Sequence, residues 1–232
     1  MADNHPTLRP APNRFLAFIA RLVHIAAEGV AISMAVLALG LILLAFGLTI
    51  IGGAVIIFAI AVAMFFRDPE RFPASTQGVI ISGADGKVTD ISEAAIPGSG
   101  ARNYKRVSVF MSPLNVHVNR APIGGEVIGV EHTPGEFRAA FSDQASEHNE
   151  RNKILMRDGA GRVHAMVQVA GYLARRIVCR LRSHDRIQPG QRIGLIMFGS
   201  RVDHFIPPEY HVTVSLGQRV RAGRSVIGEL EQ

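Results

Sequence analysis

Thirty-eight consecutive residues, Gly29 to Phe66, carry no charged side chain, and an apolar run of that length has no stable place in water. As one helix it would extend about 57 Å, nearly twice the thickness of a bilayer's hydrocarbon core. Two passes or a re-entrant hairpin fit better, with Gly40, Gly47, Gly52 and Gly53 as places to break and a turn expected between Gly47 and Gly53. Arg9, Arg14 and Arg21 lie before the run and Arg67 and Arg71 after it. Positive flanks mark cytoplasmic ends, so both ends of the hairpin are expected on that side. The run is also too long for the apolar region of a signal peptide. Ahead of it come a polar tail, Met1 to Asn13, and an amphipathic stretch, Arg14 to Glu28, with Phe15, Phe18, Ile19 and Leu22 at helical spacing.

From Arg67 onward the pattern changes to short apolar alternations broken by Gly, Pro, Asn and Asp. Strands are predicted at Val79 to Ser82, Gly86 to Ile91, Arg106 to Met111, Gly125 to Glu131, Lys153 to Arg157, Val163 to Val169, Arg175 to Leu181, Gly194 to Phe198 and Tyr210 to Val214. Residues 67–232 are long enough for one core, so the expectation is a β-rich single domain with minor helix behind an N-terminal helical hairpin. The Gly-punctuated segment Gly217 to Gly228 gives it lipoyl-like, barrel-like sandwich character.

The net charge of +6 favours anionic partners, and the apolar run makes lipid the better candidate. Three Tyr and no Trp leave little for base stacking, which argues against nucleic acid. Cys179 is the single cysteine, so no internal disulfide forms, and it reads as a buried structural thiol. The nine histidines are not paired at metal-ligand spacing.

Hydrolase elbows, zinc-protease motifs, Walker loops and dinucleotide glycine triplets are absent. One local feature stands out. The apolar segment Ile193 to Phe198 ends in Gly199-Ser200 and runs straight into Arg201 and Asp203. A serine hydroxyl can attack the preceding carbonyl if the backbone there is distorted, and glycine permits that distortion at least steric cost. Loss of the resulting ester by β-elimination, then hydrolysis of dehydroalanine, leaves a pyruvoyl group, a ketone electrophile made from the chain. Taken alone, Gly-Ser also suits an ordinary strand-to-turn junction. Likewise Asp85 in Ala84-Asp85-Gly86 suits a hairpin turn, and His117 between Val116 and Val118 suits a strand. A serine nucleophile needs a base, and a base needs an orienting carboxylate; His117 and Asp85 offer both.

Together these segments resemble the short bacterial form of the phosphatidylserine decarboxylase proenzyme family. The resemblance rests on Phe65-Phe66-Arg67-Asp68-Pro69-Glu70-Arg71, Ala84-Asp85-Gly86, Ser112-Pro113 with His117, Pro134-Gly135-Glu136-Phe137, Asn149-Glu150-Arg151-Asn152 and Phe198-Gly199-Ser200, in order across residues 60–232. It implies cleavage between Gly199 and Ser200 into a large chain (1–199) and a small chain (200–232) that stay together as a heterodimer. It further implies a Ser200-derived pyruvoyl cofactor that forms a Schiff base with a phospholipid amine, with His117 as proton donor. The product would be phosphatidylethanolamine, made at the cytoplasmic face of the bacterial inner membrane. The implied division is a tail and amphipathic segment (1–28), a membrane hairpin or re-entrant anchor (29–66) and a decarboxylase domain (67–232).

The chain departs from the longer bacterial form at two places. That form has Leu-Gly-Ser-Thr where this chain has Phe198-Gly199-Ser200-Arg201, and a second histidine where this chain has Arg120. The processing base is therefore left open: His117 or another histidine, such as His132 or His148. The competing reading is a non-catalytic, membrane-anchored β-barrel interaction module, which would remain one intact chain.

Overall fold

The computed structural model describes residues 14–73, 75–98, 103–135, 149–171, 177–197 and 199–231. The chain divides into two compact units, with the boundary between Glu70 and Arg71.

The first unit is helical: α1 (Arg14–Val23), α2 (Ala27–Ala45) and α3 (Thr49–Phe65). The predicted break falls at Phe46 to Leu48, where Gly47 takes a left-handed φ of +80°. Gly52 and Gly53 lie inside α3. Gly52 serves packing instead: a Cβ there would stand 2.8 Å from Leu44, and one on Gly40 2.7 Å from Ile56. Small residues thus let α2 and α3 run close together, antiparallel. Many of their large side chains point outward, Ile50 at 88 % exposure and Ile57 at 70 %. Ala27–Ala45 has 19 residues and a mean hydropathy of 2.2, long and apolar enough to cross a membrane. The expected amphipathic segment is shorter than Arg14 to Glu28. It ends at Val23 because His24 adopts a φ of +53°, and Glu28 belongs to α2. The link between α1 and α2 pairs with the chain leaving α3, through Ala26 N–H to the Phe66 carbonyl (2.7 Å) and Asp68 N–H to that of His24 (2.6 Å).

The second unit is β-rich, as expected, with a curled, half-barrel main sheet. Its strands are β1 (Val79–Ile81), β2 (Gly86–Ala94), β3 (Tyr104–Met111), β4 (Val118–Arg120), β5 (Gly125–Thr133), β6 (Arg151–Arg157), β7 (Val163–Val169), β8 (Ile177–Cys179), β9 (Arg186–Ile187), β10 (Arg192–Ile196), β11 (Ser200–Ile206), β12 (Tyr210–Val212), β13 (Arg219–Val220) and β14 (Val226–Leu230). Eight form the main sheet in the order β13-β2-β3-β11-β7-β6-β5-β9, and two three-stranded sheets run β4-β10-β8 and β1-β14-β12.

Strand β11 is paired along both edges, to β3 and β7, and all seven of its residues are buried. Alternation sends Val202 and Ile206 into the main core with Val107, Val109, Met111, Ile154 and Met166. Phe205 joins a smaller cluster on the other face with Ile96, Ala165, Val167 and Val169. The sequence pattern misses β11 because Arg201 and Asp203 resemble a solvated face. They instead pair with each other, Nε to Oδ1 at 2.9 Å and Nη2 to Oδ2 at 3.1 Å. Burial pushes the Asp203 carboxyl up against the pull of Arg201. Cys179 is half-buried, and burial raises its thiol.

Candidate active site

Ser200 is the first residue of β11, is fully buried, and faces Met111 across the β3–β11 ladder. Its Oγ lies 3.5 Å from the Met111 sulfur, a weak acceptor. The hydroxyl is therefore shielded from water and lies against a thioether. Gly199 brings the chain into that position with a φ of +57°. A Cβ there would meet nothing within 4 Å, so backbone conformation rather than crowding calls for glycine.

His117 is delivered by the turn that follows β3. Asn115 closes that turn: its Oδ1 accepts the Ser112 N–H at 2.9 Å and the Ser112 hydroxyl at 2.8 Å, while its own N–H donates to the Ser112 carbonyl. The ring is 2 % exposed, and its Nδ1 lies 2.9 Å from the Asn115 carbonyl. A carbonyl only accepts, so Nδ1 carries the proton and Nε2 holds the lone pair of a base. The His117 carbonyl takes the N–H of Ile196 at 3.3 Å, three residues before Gly199. Thus His117 is tied to the strand entering the Gly199-Ser200 junction, and Ser200 to the strand leading into the His117 turn.

Asp85 occupies the same end of the main sheet, just before β2, whose Lys87 pairs with Phe110 next to Met111. Its carboxylate faces other partners than the expected base. Arg71 grips it with both terminal nitrogens, one of them at 2.9 Å, and the Ala222 N–H donates at 2.7 Å. Arg71 also donates to the Ala222 carbonyl at 3.0 Å. This ion pair is nearly buried and joins the start of the second unit to its C-terminal segment. Its hydrogen bonds do not run to His117. Sequence reasoning missed Arg71 because it lies 14 residues upstream, and its only signal was its place in the Phe65 to Arg71 motif.

Arg120, where a second histidine was compared, is 2 % exposed and donates to the Gly190 carbonyl at 3.0 Å. His132 lies on β5, three strands from β11, roughly 14 Å by interstrand spacing. Its Nε2 is 3.0 Å from Glu150. His148, Glu136, Phe137 and Phe198 fall outside the described residues. Sequence reasoning also passed over His204, four residues beyond Ser200 on the same strand face. It is fully buried, and desolvation holds its pKa down at about 4.

The profile of a family described as phosphatidylserine decarboxylase matches residues 58–228. Among similar proteins, the phosphatidylserine decarboxylase proenzyme of Desulfotalea psychrophila is 46 % identical over 176 residues, 75 % of this chain and 82 % of that protein. The proenzyme of Chlorobium chlorochromatii is 46 % identical over 171 residues, 74 % of this chain and 80 % of the relative. That of Mycolicibacterium smegmatis is 46 % identical over 173 residues, 73 % and 75 % of the two chains. The profile match spans the Asp85 turn, the His117 turn and the Gly199-Ser200 junction, and with these relatives it establishes that the chain belongs to the phosphatidylserine decarboxylase family.

Proposed function

We propose that this chain is a proenzyme that cuts itself between Gly199 and Ser200 and then converts phosphatidylserine to phosphatidylethanolamine and CO2 in phospholipid biosynthesis. Family membership and the relatives' names support the reaction. The observation that carries the cut is a left-handed Gly199 placed directly before a fully buried Ser200.

Attack of Ser200 Oγ on the Gly199 carbonyl forms an ester and frees the Ser200 nitrogen. β-Elimination then releases Gly199 as a carboxylate and leaves dehydroalanine. Uptake of water and loss of ammonia give the pyruvoyl group. His117 Nε2 is the base that accepts the hydroxyl proton and passes it to the Ser200 nitrogen as the amide bond breaks; in the later reaction the same nitrogen, protonated again, gives a proton to the decarboxylated carbon. Asp85 acts at a distance, holding Arg71 and Ala222 so that its own turn stays fixed beside β3. The residues present fit the pyruvoyl group: Ser200 heads a central strand in a water-poor niche beside Met111. When formed, that group supplies the carbonyl that withdraws electrons as CO2 leaves.

The large chain (1–199) and small chain (200–232) remain a heterodimer in this reading. Support comes from the ladders, since β11 lies between β3 and β7, β13 on β2 and β14 on β1. Residues 29–66 act as the membrane hairpin, and residues 67–232 form the decarboxylase domain on the cytoplasmic face of the inner membrane. The uncharged run, with arginines at both flanks, supports that placement.

Denaturing electrophoresis with intact mass tests the proposal. The 25.1 kDa chain should resolve into two. The smaller should begin at position 200 and react with a carbonyl reagent such as a hydrazide. A single, unreactive 25.1 kDa chain would overturn it and favour the non-catalytic module.

A further inference from the structure

The Gly199-Ser200 bond lies where the chain changes sheets. β10, before it, belongs to the β4-β10-β8 sheet, and β11, after it, to the eight-stranded sheet. The angle at which Ser200 meets the Gly199 carbonyl therefore depends on how these two sheets are fixed to each other.

A chain of buried amides crosses between them. Asn119 on β4 is fully buried, as is Gln168 on β7, and Asn152 on β6 is 2 % exposed. Asn152 Nδ2 donates to Gln168 Oε1 at 2.9 Å, and Gln168 Nε2 donates to Asn119 Oδ1 at 2.8 Å. Asn119 Nδ2 then reaches the Met111 sulfur at 3.7 Å and the Gly83 carbonyl at 3.4 Å. The Met111 sulfur is also the contact of Ser200 Oγ. Gly83 lies two residues before Asp85. Its carbonyl takes the Arg120 N–H at 2.9 Å and its N–H donates to His204 Nε2 at 3.3 Å. A Cβ on Gly83 would stand 2.7 Å from the Arg120 carbonyl and from the Met166 sulfur, so the approach requires glycine.

Burying three amides among aliphatic side chains costs free energy, where apolar residues would gain it, unless their hydrogen bonds are made. This chain of bonds ends on Met111, the cross-strand neighbour of Ser200, and passes through Asn119 on β4, a strand that begins one residue after His117. We infer that Asn119, held by Gln168 and Asn152, is a positioning residue for self-cleavage: it fixes the two sheets so that Ser200 Oγ addresses the Gly199 carbonyl. This rests on the self-cleavage proposed above and extends it to residues that never touch the reacting atoms.

The test follows cleavage of newly synthesised full-length precursor over time, with and without hydroxylamine, which cuts the ester form at the same bond. Asn119→Leu and Gln168→Met remove the hydrogen bonds at similar volume. The same substitutions on a Ser200→Ala background report thermal stability of the uncut chain. Both variants should cleave about 100-fold more slowly, as expected for misaligned reactants. The hydroxylamine-sensitive fraction should fall in parallel, while the Ser200→Ala counterparts still melt cooperatively above the assay temperature. Folded variants that cleave at the parent rate, or that accumulate normal ester, overturn the inference and leave the proposed function intact. Should Asn119→Leu fail to fold, Gln168→Met decides by the same criteria. Unfolding of both would mean that the amides serve stability alone, and also overturns it. A parent chain that never cleaves removes the proposed function itself.

Discussion

The strands on either side of the Gly199-Ser200 bond are built differently. β10 has five residues, predominantly aliphatic, between the three-residue strands β4 and β8. β11 has seven buried residues, with Arg201, Asp203 and His204 set among Val202, Phe205 and Ile206, between the long strands β3 and β7. The residues leading into the bond are held by two short ladders of three residue pairs each, and those leaving it by longer ladders, seven pairs to β3 and five to β7, and a buried ion pair. The proposed scission at Gly199 would break the connection between sheets without removing a ladder from either. That arrangement suits a chain whose fold must survive the proposed cut.

The difference can be probed by substitutions on either side of the bond. The largest effect is expected for Ser200→Ala, which should leave one uncut 25.1 kDa chain by intact mass. His117→Ala should slow cleavage about 10²–10⁴-fold, the usual worth of an aligned proton transfer. Time-resolved gels measure this, and a normal rate would remove His117 from the base role. On the β11 side, Arg201→Met strands the buried Asp203 carboxylate and should cost roughly 3–5 kcal/mol in denaturant unfolding of the uncut chain. A double substitution with Asp203→Leu should recover much of that loss.

His204 gives β11 a pH signature. Its folded pKa is depressed to about 4 by burial, below the ordinary 6.5. The unfolded chain therefore binds the extra proton between these values, and stability should fall as pH drops from 6.5 toward 4. The loss approaches roughly 3 kcal/mol, and His204→Gln should flatten that slope in melts of the Ser200→Ala chain. The smallest effect is expected before the bond. Gly199→Ala places a Cβ in open space but in a left-handed backbone, costing about 1–2 kcal/mol. Its cleavage should slow by about tenfold, since 1.4 kcal/mol of added barrier corresponds to that factor.

The sequence was most readable where one periodicity acted alone. Val163–Val169 alternates cleanly and forms that strand end to end, and the uncharged run turns at Gly47 as glycine and length suggest. It misled where charge was neutralised out of view. Arg201 and Asp203 disguised the central strand because their partners are each other, two positions apart on one face. Asp85 was readable as a site-end residue but not in its contacts, since Arg71 and Ala222 lie 14 residues before it and 137 after it. The glycines of the helical unit divided likewise: Gly47 turns the chain, while Gly40 and Gly52 make room for a neighbouring helix. Local composition cannot separate those duties, because the second depends on a residue of the other helix, Leu44 for Gly52 and Ile56 for Gly40.

The central position of β11 also bears on inheritance between copies. Under the proposed cleavage, a strand laced along both edges into the rest of its own chain would not be traded with the surrounding pool. Each molecule would then make its reactive terminus from its own Ser200 and keep it. Two defective precursors in one cell, Ser200→Ala and His117→Ala, should therefore fail to complement each other, and a damaged copy should stay damaged for its lifetime.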